Sequence, residues 1–211
     1  MKQIKDIHGI VVPLKQANID TDAIMPKQFL KSIKRTGYGE YLFDAWRYMD
    51  KGEPGMDCSR RPRQPDFVLN QKDYQNAKIL LTEANFGCGS SREHAVWGLV
   101  EYGFEAIVAP SFADIFSSNA MKNGLLLIQL PERDIQSLFE EVLKNPGESW
   151  EIQLEAQTLK THKETYAFEI SASDKEKLLK GLDDIGVTLE YREQIKAYEK
   201  HRAIQEPWIF H

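Results

Sequence analysis

Lys78-Ile79-Leu80-Leu81-Thr82, followed after two residues by Asn85-Phe86-Gly87-Cys88-Gly89-Ser90-Ser91-Arg92-Glu93-His94-Ala95, is the stretch on which the fold turns. The first run is short, apolar and β-rich, so it reads as a strand. From Arg92 to Tyr102 the apolar residues recur at helical spacing, with Val96, Leu99, Val100 and Gly103 near one side. A glycine-rich turn therefore joins a strand to a helix N-terminus. Such a junction collects backbone N–H groups and the positive end of the helix at one point, where an anion is stabilised.

The same order repeats downstream. Ala106–Ala109 is a buried strand and 112–122 a helix with Asn123-Gly124 as its stop. Leu125–Ile128 is another apolar strand, and 132–143 a helix closed by Asn145-Pro146-Gly147. Strands alternating with helices of this length predict βαβ units and a mostly parallel sheet covered on both faces. Upstream, Ile4–Leu14 opens as a strand, 18–26 is a polar loop, 38–49 a short helix and 67–69 a short strand. Residues 52–65 hold two glycines, three prolines and Arg60, Arg61 and Arg63, which predicts a long exposed excursion. Beyond Trp150 the period changes to two, predicting an antiparallel hairpin through Ile170. Two helices follow, over 174–182 and 187–198, the second with Val187, Tyr191, Ile195 and Tyr198 on one face. The tail that ends Pro207-Trp208-Ile209-Phe210-His211 either docks on a partner or frays.

Composition narrows the class. The chain has 211 residues, 42% of them hydrophobic, which fits one globular domain with a substantial core. Its net charge of -5 disfavours general nucleic-acid binding. It contains no run of about 18 apolar residues that would span a membrane. The first six residues lack the apolar centre of a signal peptide, so the cytosol is the expected compartment. Two cysteines, Cys58 and Cys88, are too few for an iron–sulfur cluster, which takes three or four. No metal-ligand spacing is present, and the glycine loop matches neither nucleotide-binding fingerprint.

Two readings of Ser90 stand side by side. Ser90-x-x-Glu93 has the form of a capping box, in which the hydroxyl only accepts a backbone N–H. Alternatively Ser90 is a base or nucleophile, its alkoxide made accessible by preorganised N–H groups and by Arg92. Arg92, in the first helical turn, opposes the helix dipole at a cost of about 0.3–1 kcal/mol. It either binds a carboxylate through its fork of donors or faces solvent. His94 reads as a packed histidine and Cys88 as a small packing residue. Asp20 and Asp22 read as a hydrogen-bonded turn rather than a calcium loop. Lys27, Lys31, Lys34 and Arg35 form a basic run, solvated or anion-recruiting.

The 85–95 block resembles the signature of the aconitase superfamily's swivelling domain. Asn18-Ile19-Asp20-Thr21-Asp22-x-Ile24-x-Pro26 resembles that family's first block, and Ser111–Phe116 with Asn119, Asn123 and Gly124 a third. The likeness continues through 181–186 to Tyr198 and is strongest to the small subunits of bacterial 3-isopropylmalate dehydratases. It implies an α/β swivelling β/β/α domain over 1–211 with a C-terminal helical extension over 183–211. It implies no cofactor on this chain, and a [4Fe–4S] cluster held by a separate large subunit as partner. The implied reaction removes water from 2-isopropylmalate, a small dicarboxylate, and returns it to give 3-isopropylmalate. By motif position Ser90 is the base and Arg92 binds a substrate carboxylate beside Ser91. Gly87, Cys88 and Gly89 supply the anion-loop backbone. Phe29, Leu30 and Lys31 fall in the loop that sets which substituent is accepted. A homoaconitase- or methylmalate-type small subunit, or a non-catalytic anion-binding module, would carry the same block.

Overall fold

The computed structural model describes residues 2–31 and 35–209. Lys34 of the basic run and Phe210 and His211 of the tail lie outside the described residues. In chain order the elements are β1 (Asp6–Leu14), α1 (Thr21–Ile24), α2 (Asp44–Arg47), β2 (Ile79–Thr82), α3 (Glu93–Tyr102) and β3 (Ala106–Ala109). Then follow α4 (Asp114–Lys122), β4 (Leu126–Gln129), α5 (Glu132–Lys144), β5 (Ser149–Gln153), β6 (Thr158–Lys160) and β7 (Thr165–Ala167). Helices α6 (Ala172–Lys180), α7 (Asp184–Glu190) and α8 (Arg192–Gln205) complete the chain.

The strands form one sheet in the order β4-β3-β2-β1-β5-β6-β7. β4, β3, β2 and β1 run parallel, whereas β1–β5, β5–β6 and β6–β7 are antiparallel. β1 belongs to both halves. Its residues 6–10 pair with β5, and Val11–Leu14 pair with β2 in the register Val11↔Ile79. Its sequence carries that division. Asp6, Ile7 and His8 alternate exposed, buried and exposed, while Val11–Leu14 are all buried. One-sided antiparallel sheet demands alternation, and sheet covered on both faces demands a continuous apolar run. All four residues of β2 and of β3 are buried for the same reason. A single apolar core runs from Ile4 to Leu178.

Several expected elements take another form. Residues 150–170 make three short antiparallel strands with their neighbours rather than a two-stranded hairpin, turning at Gln157 with φ 54°. The helix expected over 38–49 is divided into a 3-10 turn, Gly39–Tyr41, and α2. The division falls at Phe43, in the left-handed region at φ 51°, whose N–H reaches the Ile24 carbonyl at 2.8 Å. Val68–Asn70 is a 3-10 turn instead of a strand. Phe67 packs its ring against Phe43 and Trp46, 6.0 Å from each, and among the described residues the run pairs with no strand. Within the supposed loop 18–26, Asp20 caps α1 by accepting the Ala23 N–H at 2.6 Å. The 187–198 helix is interrupted at Tyr191, which ends α7 and begins α8.

The arginine-rich excursion is exposed along most of its length but anchored. Cys58 and Arg61 are buried. The Arg61 guanidinium pairs with the Asp44 carboxylate of α2, donates to Asp50 Oδ1 at 3.1 Å and lies 3.8 Å from the centre of the Tyr48 ring. Burial alone would lower the Arg61 pKa. Hydrogen bonds to Asp44, Cys58 and Asp50 outweigh it, and the guanidinium stays charged.

Candidate active site

Three loops leave the carboxyl ends of β1, β2 and β3, which are adjacent in the sheet. In open α/β sheets ligands bind at that edge. The β2 loop is the middle one and is stitched to both neighbours. On one side Gly87 N–H donates to the Ile19 carbonyl at 2.8 Å, and Thr21 N–H to the Cys88 carbonyl at 2.9 Å. On the other side Phe86 N–H donates to the Ser111 carbonyl at 3.2 Å, and Ala113 N–H to the Phe86 carbonyl at 3.0 Å. Side chains add to this. Asn85 Nδ2 donates to Asn18 Oδ1 at 2.8 Å, and Asn85 N–H to Ser111 Oγ at 2.9 Å. The three blocks that are separated by tens of residues in the sequence thus meet in one place.

Gly87 has φ +76° and Gly89 φ +90°, a region that side-chain-bearing residues rarely occupy. At Gly87 the constraint is double, because a Cβ would overlap the ring of Phe116. Gly87→Ala is expected to destabilise the protein by about 2–4 kcal/mol, combining φ strain with overpacking. Chemical denaturation would measure it, and a loss under 1 kcal/mol would show that Phe116 yields freely. Cys88, half-buried, contributes its backbone to the seam with Asp20 and Thr21.

Ser90 is not a helix cap. The residue at the N-cap of α3 is Arg92, without a side-chain cap bond, so Arg92 stands one residue ahead of the first turn. The partner expected of a capping glutamate is also elsewhere, since Glu93 Oε1 accepts from Asn123 Nδ2 at 2.9 Å. The Ser90 hydroxyl instead lies 3.3 Å from the Thr21 hydroxyl. Thr21 Oγ1 donates its proton to the Ser90 carbonyl at 2.7 Å. A hydroxyl has one proton to give, so Thr21 meets the Ser90 hydroxyl as an acceptor. Ser90 and Ser91 are exposed, and the Arg92 guanidinium pairs with the exposed Asp22 carboxylate. Ser90, Ser91 and Arg92 line, with Gly87, Asp114, Ile115 and Phe116, a cleft of about 220 Å³. The cleft offers a hydroxyl, a guanidinium and the positive end of α3 on one wall.

A family model described as the aconitase C-terminal domain matches residues 1–133, and a model for the C-terminal domain of the 3-isopropylmalate dehydratase small subunit matches 184–211. The 3-isopropylmalate dehydratase small subunits of Neisseria meningitidis serogroup C (strain 053442) and Neisseria gonorrhoeae (strain ATCC 700825 / FA 1090) are each 57% identical to the chain, over 100% of it and 99% of the relative. The chain belongs to the family of 3-isopropylmalate dehydratase small subunits. It is therefore a hydro-lyase subunit of the aconitase superfamily. Its fold is shared by a solved 3-isopropylmalate dehydratase structure from Methanocaldococcus jannaschii, with TM-score 0.62 and 24% identity over 92% of this chain and 99% of that one.

Against that family background the remaining candidate residues separate. Phe29 is expected from its motif position to face the substituent of the substrate. It is 1% exposed and stacks on Tyr41 with ring centres 4.1 Å apart, so it anchors its loop in the core. Leu30 is half-buried against the core and Lys31 is exposed at the end of the 3-10 turn Lys27–Lys31. None of the three lines the Ser90 cleft. His94 packs its ring 5.1 Å from Tyr38 and 4.7 Å from Trp97. Burial lowers its pKa, Glu93 opposes that and Arg92 adds to it, which keeps the imidazole neutral at pH 7. Sequence reasoning misses the contacts of Thr21, which holds Ser90, and of Asp22, which holds Arg92. The motif Asp20-Thr21-Asp22 is the available signal, but nothing local says that its hydroxyl meets a residue 69 positions away. Asn123, a helix stop by sequence, also accepts from Trp97 Nε1 at 3.1 Å and so joins the end of α4 to α3. Among the described residues no group of three or more His, Cys, Asp or Glu side chains is placed to hold a metal ion. Cys58 and Cys88 are free thiols and do not fit a cluster that requires three or four.

Proposed function

We propose that this chain, working in the cytosol, completes the active site of a 3-isopropylmalate dehydratase and that Ser90 is the base. The observation that carries this reading is the Ser90 hydroxyl itself. It is exposed in a cleft, excused from capping, and set beside a guanidinium ahead of a helix N-terminus. In 2-isopropylmalate the proton to be removed sits on carbon next to a carboxylate and is weakly acidic. An alkoxide is strong enough to take it, and positive potential from the helix end and Arg92 lowers the cost of forming one. After the hydroxyl departs, the same Ser90 returns the proton to the neighbouring carbon as water adds in the opposite sense. A [4Fe–4S] cluster held by the large subunit would supply the Lewis acid for the departing hydroxyl; the two free thiols of this chain do not fit one.

Arg92 is the carboxylate anchor. Its pairing with Asp22 is a surface ion pair of small net value, so a substrate carboxylate can displace Asp22 without a large penalty. Ser91 adds a polar contact at the same rim. The cleft is smaller than the roughly 300–1,000 Å³ of complete ligand pockets, which suits one wall of a site closed by a second polypeptide. The experiment is reconstitution. The large subunit with its cluster is assayed for interconversion of 2- and 3-isopropylmalate alone, with this chain, and with Arg92→Lys. Activity is expected only with this chain. Arg92→Lys keeps the charge but loses the bidentate fork, so kcat/KM falls by about 10–100-fold. Full activity of the large subunit alone, or greater activity on a methylmalate-type acid, would overturn the assignment.

A further inference from the structure

We propose that α7, α8 and the 3-10 turn Pro207–Ile209 form the surface on which the large subunit of the dehydratase docks. The proposal rests on the heteromeric reading above and goes beyond it by placing the contact. Neither α7 nor α8 has a single buried residue. Yet the segment carries Ile185, Leu189, Tyr191, Tyr198, Ile204 and Trp208 as large exposed apolar side chains, with Ile204 81% and Trp208 70% exposed. Ion pairs tie it to α6. Lys177 pairs with Asp184 at 3.1 Å and Lys180 with Glu190 at 2.9 Å. Asp183 caps α7 by accepting the Gly186 N–H at 2.7 Å. These side chains stand outside the core, and large apolar groups left exposed in such number along one segment mark an interaction surface.

Two observations indicate what covers it. The first is the division of the chain between two family models. Residues 1–133 match a domain whose description makes it the C-terminal part of aconitase, whereas 184–211 match a domain described for the small subunit. A domain that is part of a longer chain is held near its partner at an effective concentration set by the linker. A separate subunit loses that and must replace it with interface. The residues characteristic of the separate subunit are the ones left without a core. The second is continuity with the cleft. The cleft is bounded by Ile115 and Phe116 at the start of α4. The next cavity along α4 is lined by Ser117 and Met121 on one side and by Asp183 and Asp184 on the other. α4 has nine residues and so spans about 13 Å. A standard interface covers about 800 Å² per partner, roughly 30 Å across. A large subunit seated over Ser90 with an ordinary footprint reaches the start of α7.

The test uses the full chain with Tyr198→Asp and Trp208→Asp, singly and together. Association with the cluster-loaded large subunit is followed by sedimentation velocity, and activity is titrated in parallel. The double variant is expected to weaken association by about 30-fold or more. Its kcat at saturating concentration stays within twofold of wild type, and its circular dichroism and Tm as an isolated chain are unchanged. Wild-type affinity in the double variant would overturn the proposal. So would loss of self-association by the isolated chain with unchanged affinity for the large subunit, which would make a second copy the occupant. Failure of the unaltered chain to bind the large subunit would instead bring down the heteromeric reading beneath it.

Discussion

Ser90→Ala lowers kcat of the reconstituted enzyme by about 10²–10⁴-fold, the range for removal of a positioned base, and leaves stability within about 0.5 kcal/mol of wild type. The two halves of this expectation have different origins. The kinetic half follows from the chemistry: of the groups that line the cleft besides Ser90, Arg92 is a permanent cation, Thr21 gives its proton to the Ser90 carbonyl, and Asp114 offers a carboxylate, a far weaker base toward a carbon-bound proton than an alkoxide. The stability half follows from the geometry of α3. A capping serine replaced by alanine costs typically about 1 kcal/mol. Ser90 caps nothing, because Arg92 holds that position and Glu93 is turned to Asn123. KM is expected to move little, because the carboxylate contacts remain. Steady-state kinetics and urea denaturation on the same preparation decide the matter. A variant that keeps a tenth or more of wild-type kcat would remove Ser90 from the chemistry, and one that loses 1 kcal/mol or more would restore it to the helix cap.

Asp44→Ala is expected to destabilise the protein by about 3–5 kcal/mol, the usual cost of stranding a buried charge. Both side chains of the Arg61–Asp44 pair are only 2% exposed, so water cannot replace the carboxylate. Asp50, the other acidic partner of Arg61, is itself one-third exposed and cannot fully compensate. At about 2–4 °C per kcal/mol for a chain of this size, Tm falls by roughly 6–20 °C. The double variant Asp44→Ala/Arg61→Met removes the stranded charge and is expected to recover much of the loss, which a double-mutant cycle quantifies. A single-variant loss below 1 kcal/mol would mean that the excursion relaxes and lets Arg61 reach solvent. The arginine-rich loop is thus a structural strap, in keeping with its position outside the three blocks that meet at the cleft.

The contrast between these two sites shows where sequence reading succeeds and where it stops. Lys78–Thr82, Ala106–Ala109 and Leu125–Ile128 can be read as strands because both-sided burial writes a continuous apolar run into the chain. The helices between them are bounded by Asn123-Gly124 and Asn145-Pro146-Gly147, whose backbone preferences act locally. Phe67–Leu69 has the same look of a strand but pairs with none, and 38–49 has the look of a helix but turns at Phe43 to satisfy Ile24. Arg61 reads as exposed because three arginines among prolines usually are. Its burial depends on Asp44, 17 residues earlier and on another element.

The chain's own order of apolar runs, caps and turns was enough to establish an α/β sheet and the glycine-rich junction, because those features depend on neighbours a few residues apart. The 85–95 block was also enough to point to the superfamily. Which role Ser90 is free to play came only with the folded arrangement. The order β3-β2-β1 sets three loops from distant parts of the sequence side by side, bringing Thr21 to Ser90 and Asp22 to Arg92. Adjacency of that kind is a property of strand order and register, and no local pattern of residues encodes it.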